Sequence, residues 1–259
     1  MKIWTLIENT ACRDDLTAEH GLSLYIETGN HAILFDTGKT GAFADNAEKM
    51  GVDLTGVDMV ILSHGHYDHG GGIRRFLEIN KTAPIYLSRH AFRNCYSNGK
   101  YIGLDFSLQN CGRLIPVDDR LELDTGITLF SCNGLERPYI TDTFGQTVLE
   151  EGIHIPDDYR HEQYLLLEED GQRCLFSGCS HKGVLNILHW FRPDVFLGGF
   201  HFIRMDPASR ELTEAADILA ASPTRYFTGH CTGMDQFRTM QKILGSRLQY
   251  VAAGSHITL

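Results

Sequence analysis

The sequence predicts an α/β fold in which two β-sheets pack face to face and helices cover their outer surfaces. Apolar strand-like runs and segments with helical spacing alternate along most of the 259 residues. A strand-turn-strand pattern that ends in ILFDTG (33–38) returns in the second half as CLFSGC (174–179). An approximate repeat of this kind indicates two similar β-α halves. No linker or low-complexity tract divides the chain, so we expect one domain over residues 1–259.

Hydrophobic periodicity and turn residues predict the elements of both halves. In the first half, strands are predicted at 2–7, 21–28, 31–35, 57–62 and 84–87, and helices around 43–50 and from about 73 to 78. In the second half, strands are predicted at 163–168, 172–177, 194–198 and 225–228, and helices at 182–191, 207–221 and 234–244. Residues 88–160 mix turns with strands near 120–131, and the pattern assigns no clear order there.

Composition excludes several classes of function. The formal net charge is −10 and no run of Lys or Arg offers a surface for a phosphate backbone, so we expect no nucleic-acid partner. The N-terminal segment meets Glu8 before an apolar run grows to signal-peptide length, and no later run approaches a membrane span. We therefore expect a cytoplasmic protein that acts on a small molecule and has no membrane partner. The sequence does not indicate an oligomeric state.

The stretch SHGHYDHGGG (63–72) places three histidines and a carboxylate within six residues, directly after the predicted strand at 57–62. Sites in α/β folds form at the carboxyl ends of strands. The three glycines at 70–72 let the backbone turn tightly around such a cluster. Packing alone gives no reason for four potential ligands on one loop, so we predict a metal site. Its ligands would be His64, His66, Asp68 and His69.

A site with two metal ions needs more ligands than one loop supplies. Cys179 and His230 each follow an apolar strand, in LFSGC and RYFTGH. A thiolate beside imidazoles and a carboxylate suits a borderline-soft ion, so the sequence favours two Zn²⁺ ions, with Mn or Fe as alternatives. The seven cysteines are irregularly spaced with no CxxC pair, which favours reduced thiols over a disulfide framework.

Three further histidines lie near predicted strand ends. His161 precedes the strand at 163–168, where both a metal ligand and a solvent-facing loop residue fit. His181 and His201 follow strand ends at the same sheet edge, which favours catalytic or supporting roles over plain helix-start or loop positions. The residues leave open whether His161 or His181 completes the set around His64 and His66.

These residues resemble the metallo-β-lactamase superfamily over nearly the whole chain. The resemblance is carried by H-x-H-x-D-H after a strand, by FDTG (35–38), and by the late Gly229-His230. It implies an αββα four-layer sandwich, in which two mixed β-sheets are flanked by helices. It also implies a metal pair in a cleft at one edge, with a bridging water or hydroxide as the nucleophile.

Carried over position by position, the resemblance implies a ligand set for each ion. One ion would bind His64, His66 and His161, and the other Asp68, His69 and His230. His161 is preferred over His181 because, in the superfamily, the third histidine precedes the hairpin that ends at the bridging position. Cys179 stands where most members have a bridging Asp, and this departure puts a carboxylate bridge in doubt.

Three shorter motifs are similar to one group within the superfamily, the dihydropterin-ribofuranosyl-aminobenzene phosphate synthases. They are GCSHKG (178–183), GGFH (198–201) and HCTG (230–233). This second resemblance implies a transferase that joins a pterin to a ribofuranosyl-aminobenzene phosphate.

The candidate ligands by themselves favour hydrolysis, because two cations lower the pKa of a bound water and polarise a carbonyl or phosphoryl oxygen. We predict a dinuclear hydrolase of a small phosphorylated, ester or lactone-like molecule. Asp68 would accept the proton of the attacking water, while His181 or His201 would donate to the leaving group or steady an oxyanion. The alternatives are the transferase and a metal-binding or sensing protein without catalysis. A di-iron, oxygen-reducing role is disfavoured by Cys179.

Overall fold

The computed structural model describes residues Met1 to Leu259 and contains two seven-stranded β-sheets and a smaller sheet of four strands. In spatial order the first sheet consists of β18 (His256–Thr258), β1 (Lys2–Ile7), β2 (Ser23–Glu27), β3 (Ala32–Phe35), β4 (Met59–Ile61), β5 (Ile85–Ser88) and β8 (Leu114–Val117). The second consists of β17 (Leu248–Tyr250), β16 (Arg225–Thr228), β15 (Val195–Leu197), β14 (Gln172–Phe176), β13 (Tyr164–Glu169), β10 (Ile127–Phe130) and β9 (Arg120–Asp124).

The smaller sheet and the helices complete the fold. The small sheet consists of β12 (Ile153–Pro156), β11 (Gln146–Glu150), β6 (Cys95–Ser97) and β7 (Lys100–Tyr101). The α-helices are α1 (Ala42–Met50), α2 (Tyr67–Gly70), α3 (Ile73–Ile79), α4 (Val184–Phe191), α5 (Arg210–Ala221) and α6 (Met234–Leu244). Short 3₁₀ turns lie at Leu54–Gly56, Phe106–Leu108, His230–Thr232 and Gly245–Arg247. No helix is both long and apolar enough to cross a membrane.

The two large sheets pack against each other through one shared apolar core. Phe35 of β3 and Phe176 of β14 meet across it, with ring centroids 6.0 Å apart. A second core joins the other face of the first sheet to α1 and α3, and a third joins the second sheet to α4, α5 and α6. The layers are therefore helix, sheet, sheet, helix, which confirms the predicted αββα fold class.

Both large sheets follow the same pairing pattern. In the first, β1, β2 and β3 are antiparallel, and β3, β4 and β5 are parallel. In the second, β10, β13 and β14 are antiparallel, and β14, β15 and β16 are parallel. ILFDTG and CLFSGC lie on and directly after the equivalent strands β3 and β14. The sequence repeat thus corresponds to equivalent places in the two sheets.

Most element boundaries differ from the predicted ones by three residues or fewer, and local contacts explain two of the differences. Helix α4 begins at Val184 rather than Lys182, because the backbone N–H groups of 181 and 182 donate to Glu162 and Gly183 has a φ of 91°. Helix α5 begins at Arg210 rather than at 207, because the Ser209 hydroxyl caps it by accepting from the Leu212 N–H.

Candidate metal centre

Asp36, directly after β3, holds the histidine loop in place. It is fully buried and has a φ of 59°. Its carboxylate accepts hydrogen bonds from the backbone N–H and hydroxyl of Ser63, both at 2.7 Å, and lies 2.6 Å from Nδ1 of His69. A carboxylate on Nδ1 fixes the imidazole orientation and directs Nε2 to the opposite side, as is usual for metal-binding histidines.

Four of the predicted ligands converge on that side. Nε2 of His69 lies 3.2 Å from Nε2 of His230 and 3.2 Å from Sγ of Cys179. Oδ2 of Asp68 lies 3.5 Å from Nε2 of His230. Nδ1 of His230 is engaged by Asn9 Oδ1 at 2.9 Å, which leaves its Nε2 free for the cluster. The structure thus brings the donor atoms of these four residues together.

A second group forms around His64. Its Nδ1 lies 2.9 Å from the Ser63 hydroxyl, and its Nε2 lies 3.3 Å from Nε2 of His181. The rings of His66 and His181 are 4.9 Å apart, and donor atoms of His64, Cys179 and His181 all lie within 4.8 Å of one another. His181, predicted as a catalytic or supporting group, thus lies in contact with His64 and beside His66.

His161 lies beside His66, with ring centroids 5.0 Å apart, and the protein engages both of its ring nitrogens. Nδ1 accepts the N–H of Gly65 at 3.0 Å, and Nε2 lies 3.1 Å from Oδ2 of Asp157. These contacts fit a residue that supports the ligand loop.

The loop after β14 is positioned by Glu162, a residue that the sequence did not single out. The buried Glu162 carboxylate accepts the backbone N–H of His181 at 2.7 Å and that of Lys182 at 3.0 Å, and it also accepts the Tyr164 hydroxyl at 2.7 Å. The His181 ring then stacks on Tyr159, with ring centroids 4.7 Å apart. Contacts to both its backbone and its ring therefore fix the position of His181.

Two more histidines border the cluster. The ring of His201 is 4.3 Å from that of His181, and burial followed by the nearby His230 lowers the pKa of His201 to about 4. His20, which sequence reasoning missed, places Nε2 3.2 Å from Oδ2 of Asp68 and is about half exposed. No spacing signal marked His20, because it comes from the segment before β2 and approaches the cluster only in three dimensions.

The donor chemistry fits the binding of divalent metal ions. Burial, then the neighbouring imidazoles, lowers the pKa of His64 and His181 well below the usual value, and burial lowers that of His66 to about 3. These rings are therefore neutral, as coordination requires. Nε2 of His66 and Nδ1 of His181 are buried without a hydrogen-bond partner. Nitrogen, sulfur and oxygen donors in such contact are the ligands that Zn²⁺ accepts.

A cavity of about 510 Å³ opens beside His181 and His201. The cavity reaches the cluster from the side of α4 and α5. Its lining includes residues of these two helices and of the segment 139–144. The cluster is therefore accessible to a small molecule, which is the arrangement expected of an active site.

Comparisons with known proteins agree with this geometry. The family model of the metallo-β-lactamase superfamily matches residues 16–230. An uncharacterised protein of Methanocaldococcus jannaschii is 26% identical over 247 residues, covering 92% of each chain. From the same organism, 7,8-dihydropterin-6-methyl-4-(β-D-ribofuranosyl)-aminobenzene-5′-phosphate synthase is 29% identical over 262 residues, covering 90% of this chain and 88% of the relative.

A solved structure of a metal-dependent hydrolase of the β-lactamase superfamily matches with a TM-score of 0.86 at 25% identity, covering 100% of this chain and 99% of the other. The family match spans well over half of the sequence and includes the predicted ligands from His64 to His230. The chain belongs to the metallo-β-lactamase superfamily.

Proposed function

We propose that the protein is a hydrolase that holds two divalent metal ions, with Zn²⁺ favoured, and cleaves a small ester, lactone or phosphoester. The observation that carries this proposal is the convergence of buried imidazoles, a thiol and a carboxylate at the open edge of the two sheets. A structural metal site is usually closed, whereas this cluster adjoins a cavity large enough for a substrate.

In this proposal, two ligand sets share Cys179 between them. His64, His66 and His181 would hold one ion, and Asp68, His69 and His230 the other. His181 takes the place that the family resemblance gave to His161, because Nε2 of His181 lies 3.3 Å from Nε2 of His64. Both ring nitrogens of His161 already have protein partners.

Two ions held there would polarise a carbonyl or phosphoryl oxygen and lower the pKa of a water molecule. The protein's own residues would move the protons. Asp68 is the carboxylate of the cluster, and its contact with the half-exposed His20 links it to solvent. Neutral His201, beside the cavity, would donate a hydrogen bond to the leaving group.

An activity screen tests this proposal. The zinc-loaded protein should hydrolyse at least one class among phosphomonoesters, phosphodiesters, thioesters and lactones. Asp68→Asn should lower kcat by about 100-fold or more, since proton transfer contributes on that scale. Asp217→Asn, an exposed carboxylate on α5, is the matched control. A fully metallated protein that hydrolyses none of these classes would contradict the proposal.

The second candidate is a synthase, favoured by the relative of that name at 29% identity. Product analysis with a dihydropterin and a ribofuranosyl-aminobenzene phosphate separates the two. Formation of a joined product, with no hydrolysis in the screen, would select the synthase.

Replacing Cys179 by serine should remove the only sulfur ligand. Sγ of Cys179 lies 3.2 Å from Nε2 of His69, whereas Cys231 is oriented to the Cys179 carbonyl oxygen at 3.5 Å. We expect cobalt-loaded wild type and Cys231→Ser to show a sulfur-to-cobalt charge-transfer band that Cys179→Ser lacks. A band that persists in Cys179→Ser and disappears in Cys231→Ser would make Cys231 the ligand.

A further inference from the structure

Nine of the 18 residues that line the cavity beside His181 are hydrophobic, and several of these are aromatic. Phe144, Phe200 and Phe202 line it together with Leu185 and Met205. The ring of Phe144 also contacts that of His201, with centroids 5.5 Å apart. A planar apolar group that enters beside the cluster would therefore find aromatic faces on which to pack.

The charged groups of the cavity are all of one sign. Asp142, Asp206 and Glu211 line it, and no lysine or arginine does. Arg204 follows the lining residue Phe202 closely in sequence, yet it donates to the carbonyl oxygen of Phe144 and to the Ser97 hydroxyl. Lys182 is fully buried, and its Nζ donates to backbone carbonyl oxygens. The three carboxylates are exposed, so they would repel an anionic group on the substrate only weakly and in a salt-dependent way, but no side-chain cation lines the cavity to attract it.

The segment 139–141, which forms one wall of the cavity, is held in a defined position. Asn186 of α4 accepts the Tyr139 N–H at 2.9 Å and donates to the Tyr139 carbonyl oxygen at 2.8 Å. Gly183 allows the close approach of Thr141, because a Cβ at 183 would lie 2.3 Å from the Thr141 methyl. The cavity is therefore bounded by an anchored segment, as a selective pocket requires.

We infer that this cavity selects the non-reacting arm of the substrate, and that the arm is a planar apolar group that is uncharged or positively charged. The inference rests on the proposed hydrolase function and adds a substrate class to it. The ester or phosphoester end would face the metal ligands, and any negative charge of the substrate would stay at that end. Aromatic amines and neutral aryl groups fit this description, whereas a carboxylate or phosphate on the arm does not.

Binding of three isosteric probes to the metal-loaded protein tests the inference. The probes are 2-naphthalenemethanol, 2-naphthylmethylamine and 2-naphthoate, with affinities measured by calorimetry. Leu185→Trp should fill the cavity and weaken the alcohol and the amine by about tenfold or more, because the naphthalene ring loses its buried apolar contact. Naphthoate would direct its carboxylate to the metal ions and its ring into the cavity, so its affinity should fall by a similar factor.

Further variants make the result specific. Glu211→Lys should weaken the amine severalfold and leave the alcohol unchanged, because only the amine interacts with the carboxylate. Leu135→Trp, an exposed position that does not line the cavity, is the matched control. If Leu185→Trp lowers the melting temperature or metal content, Met205→Trp fills the cavity from another wall.

Two outcomes overturn the inference. One is an amine affinity that Glu211→Lys leaves unchanged or raises, because the carboxylates of the cavity would then not favour a positively charged arm. The other is an unchanged affinity for all three probes in both filled variants. Either result leaves the hydrolase proposal standing if the activity screen is positive. The converse result is also informative. If the probes respond as expected but the protein shows no hydrolytic activity, the hydrolase proposal is wrong and the inferred selectivity of the cavity stands.

Discussion

His181→Gln should lose close to one metal ion per chain and lower turnover by at least about 100-fold, while His161→Gln keeps both ions. The reason is that Nε2 of His181 lies 3.3 Å from Nε2 of His64. Loss of a metal ligand should lower metal affinity and activity at least as much as loss of a residue that orients a ligand. His161 instead connects Gly65 and Asp157. Elemental analysis after equilibrium dialysis gives the metal content, and steady-state kinetics give the rate.

The two variants carry the same substitution, so each serves as the control for the other. His161→Gln keeps a hydrogen-bonding group opposite Asp157, which limits the cost of leaving that buried carboxylate unpaired. The opposite result, with two ions in His181→Gln and one in His161→Gln, would restore the ligand set that the family resemblance implies. The proposed assignment of His181 would then be wrong.

Asp36→Ala should destabilise the metal-loaded protein by about 3 kcal/mol or more, because it leaves buried donors of Ser63 and His69 without their acceptor. It should also weaken metal binding by about 10- to 100-fold, since His69 loses the group that orients it. Urea unfolding and a competition titration with a chelator measure the two effects.

Asp58→Ala is the control for this prediction. The Asp58 carboxylate also accepts a backbone N–H, that of Ala32 at 2.8 Å, but it is exposed. Its removal should cost about 1 kcal/mol or less, because water can replace an exposed partner. Equal losses of stability in the two variants would show that Asp36 does not have the anchoring role described above.

The ligand loop and most strands of the two large sheets were predictable because their signals are local. An apolar run of strand length precedes the loop at 63–72, and the same arrangement precedes Cys179 and His230. β4 belongs to the first sheet and β14 and β16 to the second, and the residues after all three strands meet at one edge of the packed sheets. The structure confirms the strands β4, β14 and β16 that lead into these residues.

The position of His181 beside His64 was not predictable in this way, because it depends on the path of the chain after a strand ends. Ser180 has a φ of 61°, and Glu162 ties down the backbone of the next two residues. Together these features hold His181 against the cluster. No hydrophobic period encodes such a turn, and order along the chain favoured His161 instead.

The small sheet and His20 also escaped prediction, for different reasons. Strands β6 and β7 have three and two residues, and all residues of β12 are exposed, so neither length nor burial pattern marks them. His20 reaches Asp68 because the chain at Gly21 passes close to the loop, where an added Cβ would lie 2.5 Å from the Asp68 carbonyl oxygen. Such an approach is a tertiary feature.

Anomalous diffraction at the zinc edge, from crystals of the zinc-loaded protein, tests the central claim most directly. We expect two peaks per chain, one bounded by His64, His66 and His181, and the other by Asp68, His69 and His230. A single peak would contradict a two-metal centre. A peak among His66, Cys95, Asp157 and His161, a buried group whose donor atoms also lie within 4.8 Å of one another, would contradict the proposed ligand assignment.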